Sequence, residues 1–192
     1  MSETPQSGDD FEVDEDWVRY EVVEPHIAVI TINRPDRRNA ILSPDMHVLF
    51  KERLDRAEAD DDVKVVILAA EGKDFSSGDD VRRLPVEQAG LTKGKRLPQT
   101  ARLGNARRLH RHLTNWLEFP KTVIAACQGA TLGAGMNLAL AADILVVSED
   151  MYLARPQARI GFAGFSTAMQ TLGRAQHTSM VLALPQLGLR KQ

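Results

Sequence analysis

The first apolar segments of the chain are two short runs that predict a pair of strands. Residues 18–23 and 27–32 are rich in Val and Ile, and the link at residues 24–26 is short enough for a hairpin. Residues 1–16 are polar and acidic and hold little that could be buried, so we expect a disordered leader there. The predicted organisation is a leader over residues 1–16 and one folded domain over residues 17–192.

A helix is predicted after this hairpin. Ser43, Pro44 and Asp45 supply an N-cap, a proline at the first helical position and an acid in the first turn. Apolar residues then recur at helical spacing, namely Met46, Phe50, Leu54 and Ala57. Such spacing places them on one face, which we expect to be buried.

The rest of the chain alternates strand-like and helix-like segments. Strands are predicted at residues 63–70, 122–127 and 144–147, and helices at 101–117 and 133–142. The run at 63–70 is continuously apolar, as expected of a strand buried on both faces, and a polar, Gly-rich loop follows it. This alternation predicts an α/β fold with parallel strands, in which functional loops follow the strand ends.

Composition narrows the class of protein. The 192 residues are 43% hydrophobic, which suits one globular domain, and the net charge of -2 gives no basic field for nucleic acid or an anionic membrane. No apolar stretch approaches the roughly 20 residues of a membrane helix, and the N-terminus has no secretory pattern. The single cysteine, Cys127, lies in an apolar run and cannot form an internal disulfide, so we expect a buried thiol and a cytoplasmic setting.

Three segments in series carry the chemical signal. They are NRP (33–35) with RNAI (38–41), GKDFSSGDDV (72–81), and GATLGAG (129–135) running on to ADI (142–144). In order and spacing they resemble the NRPxxxNA turn, the GxxFSAGxDL loop and the GxxxGxG segment ending in AxDI of the crotonase (enoyl-CoA hydratase/isomerase) family. The match covers roughly residues 17–165. A dinucleotide site is disfavoured because the third segment lacks the final glycine of that fingerprint.

This resemblance implies a fold and a ligand. The fold is a spiral of strand-strand-helix turns with two roughly perpendicular sheets, here with a shortened C-terminal helical part. The resemblance also implies an acyl-CoA substrate, no cofactor beyond the coenzyme A moiety of that substrate, and assembly as a homotrimer or hexamer if the shortened C-terminus permits it.

The resemblance also implies an oxyanion hole, made by the backbone N–H groups of Ser77 and Gly133. Chemistry beside a thioester puts negative charge on its oxygen, and two preorganised donors favour that enolate. A second explanation for Gly133 and Gly135 stays open, namely tight packing of a helix against a strand.

The sequence departs from the family pattern at the two positions that carry out proton transfer in its hydratases. Hydratases of this family use two glutamates, and the matching positions here hold Asn137 and Gln157. An amide cannot exchange protons at neutral pH, although it can position water or substrate by hydrogen bonds. We therefore expect no ordinary enoyl-CoA hydration.

Two acids of the loop are candidates to replace them. Asp79 occupies a variable position beside the thioester, with a solvated surface acid as the alternative. Asp80 matches a loop aspartate for which we favour a structural role in a cap or turn, and Gly78 lies beside both.

Other positions relate to coenzyme A or to no function. Arg38, Asn39 and Ala40 lie where family members contact the adenine end of CoA, and Gly78 and Asp80 of the loop are also expected among the CoA-binding residues. The basic residues between 93 and 111 could meet its phosphates or form a solvated helix face. We expect no function for His110 and His112, and the sequence shows no partner for His47. No spacing resembles a metal site, so none is predicted.

Two functions remain. The first is an acyl-CoA-processing enzyme that stabilises a thioester enolate and has reassigned acid–base residues. The alternative is a catalytically silent acyl-CoA-binding or assembly subunit.

Overall fold

The computed structural model describes residues 13–41, 45–80 and 111–156, and the structural statements below concern these residues. Seven strands lie within them: β1 (Val18–Glu24), β2 (Ile27–Ile32), β3 (Val65–Ala70), β4 (Thr122–Cys127), β5 (Ala130–Leu132), β6 (Ile144–Val147) and β7 (Tyr152–Ala154). Helix α1 spans Asp45–Ala59, α2 covers residues 111–117, and α3 spans Gly133–Ala141. The predicted helical residues 101–110 lie outside the described part of the chain.

The main sheet has five strands in the order β1-β2-β3-β4-β6. Strands β1 and β2 form the predicted antiparallel hairpin, whereas β2, β3, β4 and β6 run parallel to one another. A separate parallel pair joins β5 to β7. The predicted α/β class with parallel strands is confirmed, and in the described residues no helix has the length and apolar character to cross a bilayer.

Strand β3 differs from the expectation of burial on both faces. Val66 and Leu68 are fully buried, whereas Val65 and Ile67 keep part of their surface exposed. The burial alternates with the two-residue period of a strand, so only one face of β3 packs into the main core. A continuous apolar run in the sequence does not distinguish a strand buried on both faces from a strand buried on one face.

Helix α1 packs on the sheet through the predicted face. Met46, Phe50, Leu54 and Ala57 are each at most 3% exposed. Full burial of a large aliphatic or aromatic side chain contributes about 1.5–3 kcal/mol, so this face anchors the helix. The predicted N-cap at Ser43 lies outside the described residues.

The folded region begins earlier than the predicted boundary at residue 17. A short 3-10 turn spans Glu15–Trp17, and the Asp14 side chain accepts a hydrogen bond from the N–H of Asp16. The Asp16 carboxylate in turn accepts hydrogen bonds from Arg19 and Asn33. These acids therefore have folded partners that composition alone could not indicate.

A pair of histidines joins α1 to α2. The rings of His47 and His112 stack with centroids 4.4 Å apart and an angle of 9° between their planes. His47 is 4% exposed, and burial together with the charge of His112 lowers the pKa of His47 to about 3. Burial also lowers the pKa of His112. Both imidazoles are therefore neutral near pH 7, and the buried ring of His47 packs on the partly exposed ring of His112.

Protonation of His47 should make the fold sensitive to acid. Above pH 6.5 the ring is neutral in both folded and unfolded chains, but below it the unfolded chain binds a proton that the folded chain refuses until about pH 3. Stability should therefore fall as pH decreases through this window, by up to about 1.4 kcal/mol per pH unit. Urea unfolding at several pH values measures this slope. His47→Leu should flatten it, whereas the control His26→Asn, at an exposed histidine, should keep it. An unchanged slope in His47→Leu would assign the acid sensitivity elsewhere.

The side chain of Asn39 ties two loops together. Its Oδ1 accepts the N–H of Arg34 at 2.8 Å, and its Nδ2 donates to the carbonyls of Glu71 and Asp74, both at 2.7 Å. Asn39 is fully buried and has a left-handed φ of 53°, a conformation that Asn tolerates better than most residues. The β2–α1 connection is thus fixed to the loop after β3.

Removal of this amide should destabilise the protein strongly. Asn39→Ala leaves one buried N–H and two carbonyls without their partner, and each such group costs about 1–3 kcal/mol. We expect a loss of about 3 kcal/mol or more in the free energy of unfolding, measured with urea. Asn33→Ala is the matched control: its amide bonds to Asp16 at the surface, so its loss should stay below about 1 kcal/mol. Similar losses in both variants would contradict the role given to Asn39.

Candidate functional site

The two predicted Gly-rich segments lie side by side. Ser76, in the loop after β3, donates its N–H to the carbonyl of Ala130 at 3.0 Å. The N–H of Leu132 donates back to the carbonyl of Ser76 at 2.8 Å, which makes Ser76 and Thr131 a parallel bridge. Residues 72–80 therefore lie against the segment that leads into α3, as a shared site requires.

Glycine permits this close approach. A side chain at Gly135 would overlap the Cβ of Ser76, and a Cβ at Gly78 would lie 3.1 Å from the carbonyl oxygen of Leu132. Gly78 also has a φ of +94°, which L-residues rarely adopt. Tight packing, which the sequence left open for Gly135, is therefore present, and it is the packing of α3 against the candidate loop.

Helix α3 begins with unused hydrogen-bond donors. The N–H groups of Gly133, Ala134 and Gly135 belong to its first turn, where no intrahelical partner exists, and they donate to no other group of the described chain. Gly133 has a φ of +51°, which turns the chain from β5 into the helix. The N-terminus of a helix also carries a partial positive charge, so this end can bind an anionic oxygen.

The expectation for Ser77 requires a correction. Its N–H does not face a ligand but donates to the carbonyl of Arg38 at 2.9 Å. The sequence could not reveal this bond, because Arg38 lies 39 positions earlier in the chain. Ser77 therefore helps to hold the β2–α1 connection in place.

The backbone N–H of Asp79, unlike that of Ser77, points away from the β2–α1 connection. The N–H of Ile41 donates to the carbonyl of Gly78, and the N–H of Asp80 donates to the carbonyl of Ile41, both at 2.9 Å. In such a parallel bridge, the residue between the two bonded ones, here Asp79, directs its own N–H and carbonyl away from Ile41. The N–H of Asp79 thus points to the side on which Ser76 pairs with β5, and its side chain is partly exposed.

Asn137 is the accessible residue of α3. The other eight residues of this helix are buried, whereas Asn137 is partly exposed. It follows Gly133 by one helical turn and so shares its face. Its Oδ1 is buried without a hydrogen-bond partner, as is the Oγ1 of Thr131 just before the helix. Thr131 was not among the predicted site residues, and its unpaired hydroxyl leaves no trace in the sequence.

Asp80 has the structural role that we favoured, although as an ion-pair partner rather than a cap. Its carboxylate lies 3.9 Å from the guanidinium of Arg34, with both side chains more than 90% buried. Arg34 also donates to the carbonyl of Ala40 at 2.5 Å and stacks 4.5 Å above the Trp17 ring. In the sequence, Arg34 is recognisable only as part of the NRP turn at residues 33–35.

Of the three residues expected near the adenine end of CoA, only Arg38 has an exposed side chain. Asn39 and Ala40 are buried, so neither side chain is presented to a ligand. Arg38 is 59% exposed and donates to Asp74 at 2.8 Å, and this bond lowers the pKa of the Asp74 carboxyl. A cavity of about 420 Å³ lies beside them, between Pro35, Glu71 and Lys73.

The remaining predicted site residues lie outside the part of the chain that the structure describes. Gln157, His110 and the basic positions 93–108 lie outside the described residues. In the parts of the chain that the structure describes, no three His, Cys, Asp or Glu side chains gather as metal ligands would.

Comparison with known proteins identifies the fold and the family. Residues 23–189 match the Enoyl-CoA hydratase/isomerase family profile. A Bacillus subtilis protein named "Probable enoyl-CoA hydratase" is 33% identical over 162 residues, which cover 84% of this chain and 58% of that protein. The Mevalonyl-coenzyme A hydratase of Beauveria bassiana is 31% identical over 83% of this chain and 57% of that protein.

Solved structures agree. An enoyl-CoA hydratase/carnithine racemase from Magnetospirillum magneticum superposes with a TM-score of 0.73 at 27% identity, over 91% of this chain and 62% of that one. The chain spans about half the length of curated relatives that it matches, 53% and 44% in two cases. With the family profile matched over most of its residues, this chain belongs to the enoyl-CoA hydratase/isomerase (crotonase) family.

Proposed function

We propose that this chain binds an acyl-CoA thioester with its carbonyl oxygen at the start of α3 and stabilises the enolate formed there. The observation that carries this proposal is the set of three unused N–H groups at Gly133–Gly135, packed against the loop of residues 76–79. Preorganised backbone donors need no reorientation as charge develops on the oxygen, so they favour the enolate over the neutral thioester.

The second donor is the N–H of Asp79 in this proposal. Its direction in the bridge to Ile41 supports the assignment, whereas the N–H of Ser77 is used by Arg38. Two donors from different segments approach one oxygen from two sides, which is the arrangement that favours a tetrahedral or enolate oxygen. Gly78 and Gly135 allow the segments to come close enough.

Proton transfer distinguishes the reactions that this site could perform. Asn137 positions a hydrogen-bonding group but cannot act as an acid or base at neutral pH. In this proposal, Asp79 is the loop carboxylate available for proton transfer. Thioester hydrolysis, decarboxylation or ring cleavage suits such a site better than hydration. A silent acyl-CoA-binding subunit is the alternative, and assembly into three or six copies in a cytoplasmic setting stays a prediction.

Binding of matched ligands tests the carbonyl site. 2-Oxopentyl-CoA is a non-hydrolysable ketone analogue of an acyl-CoA, and S-pentyl-CoA lacks its carbonyl oxygen. Calorimetry should show about tenfold tighter binding of the ketone, equivalent to about 1.4 kcal/mol. Gly135→Ala should abolish this preference, because its methyl group displaces Ser76. Ser77→Ala should keep it, because its backbone is unchanged.

Circular dichroism and melting curves establish first that each variant is folded. If neither analogue binds at millimolar concentration, the proposed ligand is wrong. Equal binding of both by the wild type would show a CoA site without carbonyl donors. If Ser77→Ala alone removes the preference, the Ser77 hydroxyl contacts the ligand directly.

Hydration of crotonyl-CoA should be very slow, because a missing acid–base group costs a factor of about 10² to 10⁴. Asn137→Glu supplies a carboxyl group and should raise the rate, with a dependence on pH that the wild type lacks. Asn137→Gln is the matched control, with equal length and no exchangeable carboxyl proton. Loss of the enoyl thioester absorbance measures the reaction. Wild-type turnover of roughly 1 to 10³ per second, ordinary for enzymes, would contradict this assignment.

A further inference from the structure

The end of the sheet opposite the candidate site carries a groove. It measures about 530 Å³ and is formed by the end of β1, the β1–β2 turn and the connection from α1 to β3. Strand β2 begins beside this groove at Ile27 and ends at Ile32, where the connection to the candidate site starts. The length of that strand, about 20 Å, separates the two places, so the groove is no part of the proposed thioester site.

The groove has exposed apolar walls. Val22 and Val23 line it and are 51% and 49% exposed, although successive strand residues point to opposite faces, one of which is usually buried. An irregularity in the pairing leaves Val23 without a partner on β2, and Pro25 and Val63 complete the apolar lining. Two adjacent exposed valines on an edge strand form an apolar surface that a bound partner would remove from water.

Hydrogen bonds hold the groove in one shape. The turn residue His26 has a left-handed φ of 73°, and its Nδ1 lies 2.7 Å from the carbonyl oxygen of Asp62. The carbonyl of His26 accepts the N–H groups of Lys64 and Val65 at 2.9 and 3.1 Å. The β1–β2 turn is thus tied to the α1–β3 connection, and a preformed groove of this kind loses little conformational freedom when it binds.

Carboxylates lie beside the apolar walls. Glu24, Asp60 and Asp62 line the groove, and in the described part of the chain the carboxylates of Glu24 and Asp62 have no ion-pair partner. The ammonium groups of Lys64 and Lys121 donate to main-chain carbonyls and not to these carboxylates. The groove therefore combines apolar contact with negative charge that the described residues leave unpaired.

This combination limits what can bind. An anionic ligand is repelled, and a neutral apolar ligand leaves the carboxylates unpaired. Lys and Arg side chains meet both requirements, because their stems pack on apolar surface while their charged ends reach nearby carboxylates. Apolar residues on either side of such a basic residue would cover the remaining valine surface.

We infer that this groove is a docking site for a basic peptide segment of a partner protein, with apolar residues between its basic ones. The apolar parts of that segment pack on Val22 and Val23. Its Lys or Arg ends pair with the carboxylates of Glu24 and Asp62. The docking site goes beyond the proposed acyl-CoA chemistry and does not depend on it.

Three capped hexapeptides test the chemistry of the partner. They are KVRVKV, KSRSKS, which lacks the apolar residues, and EVEVEV, which reverses the charge. Fluorescence anisotropy of each labelled peptide with the full chain should show saturable binding of KVRVKV and none of EVEVEV. KSRSKS should bind about tenfold more weakly than KVRVKV, because its serines bury no apolar surface.

Matched variants test the place of binding. Glu24→Gln combined with Asp62→Asn should weaken KVRVKV binding about fivefold, because two exposed ion pairs are lost. Val23→Ser should also weaken it. The controls are Glu149→Gln and Val48→Ser, at an exposed acid and a 52% exposed valine outside the groove, and neither should change the affinity.

Each contrary result overturns the inference. Absence of KVRVKV binding, or equal binding of EVEVEV or KSRSKS, shows that the groove does not take a basic and apolar segment. Equal losses in the groove variants and their controls show a diffuse attraction over the whole surface. Displacement of KVRVKV by an equal concentration of spermidine shows a polyamine site instead. If circular dichroism shows that the double variant is unfolded, Glu24→Gln alone should weaken binding about twofold, and unchanged binding there overturns the inference.

Discussion

The buried side chain of Asn39 is the interaction on which the rest of the site depends. Its amide bonds the β2–α1 connection to the loop after β3 through Arg34, Glu71 and Asp74. The carbonyl of Asn39 also accepts the hydroxyl of Ser76 at 2.8 Å. One buried residue thus joins the β2–α1 connection to the loop after β3, which packs against α3. A buried amide whose hydrogen bonds are all made is costly to displace.

A second constraint follows from the absence of side chains at Gly78 and Gly135. The loop and the start of α3 touch there, so the unused N–H groups of α3 belong to a segment in close contact with the loop that carries Asp79. The fold therefore uses backbone for the charge-stabilising part of the proposed chemistry. In this proposal, proton transfer is left to the side chains of the site.

Much of the fold could be predicted from local pattern. The β1–β2 hairpin, α1 and its buried face, and the strands at β4 and β6 follow from hydrophobic periodicity, which depends on neighbours in sequence. The burial of β3 on one face could not be derived, because a short apolar run does not reveal what packs on each side. The stacking of His47 on His112 joins residues 65 positions apart and had no local signal.

The site shows the same limit at the level of single bonds. Sequence placed the correct segments together, since Ser76 and Thr131 pair as the three motifs required. It assigned the wrong direction to the N–H of Ser77, because the bond to Arg38 depends on a left-handed turn at Arg38 and Asn39. Non-glycine residues in that conformation are uncommon and have only weak sequence signals.

A crystal structure with bound 2-oxopentyl-CoA would test the central claim most directly. We predict that the ketone oxygen lies about 2.7–3.1 Å from an N–H of Gly133 or Ala134 and from the N–H of Asp79. Ser77 should keep its bond to Arg38 in that complex. A ketone oxygen bound away from the start of α3, in a complex where the CoA is ordered, would contradict the account.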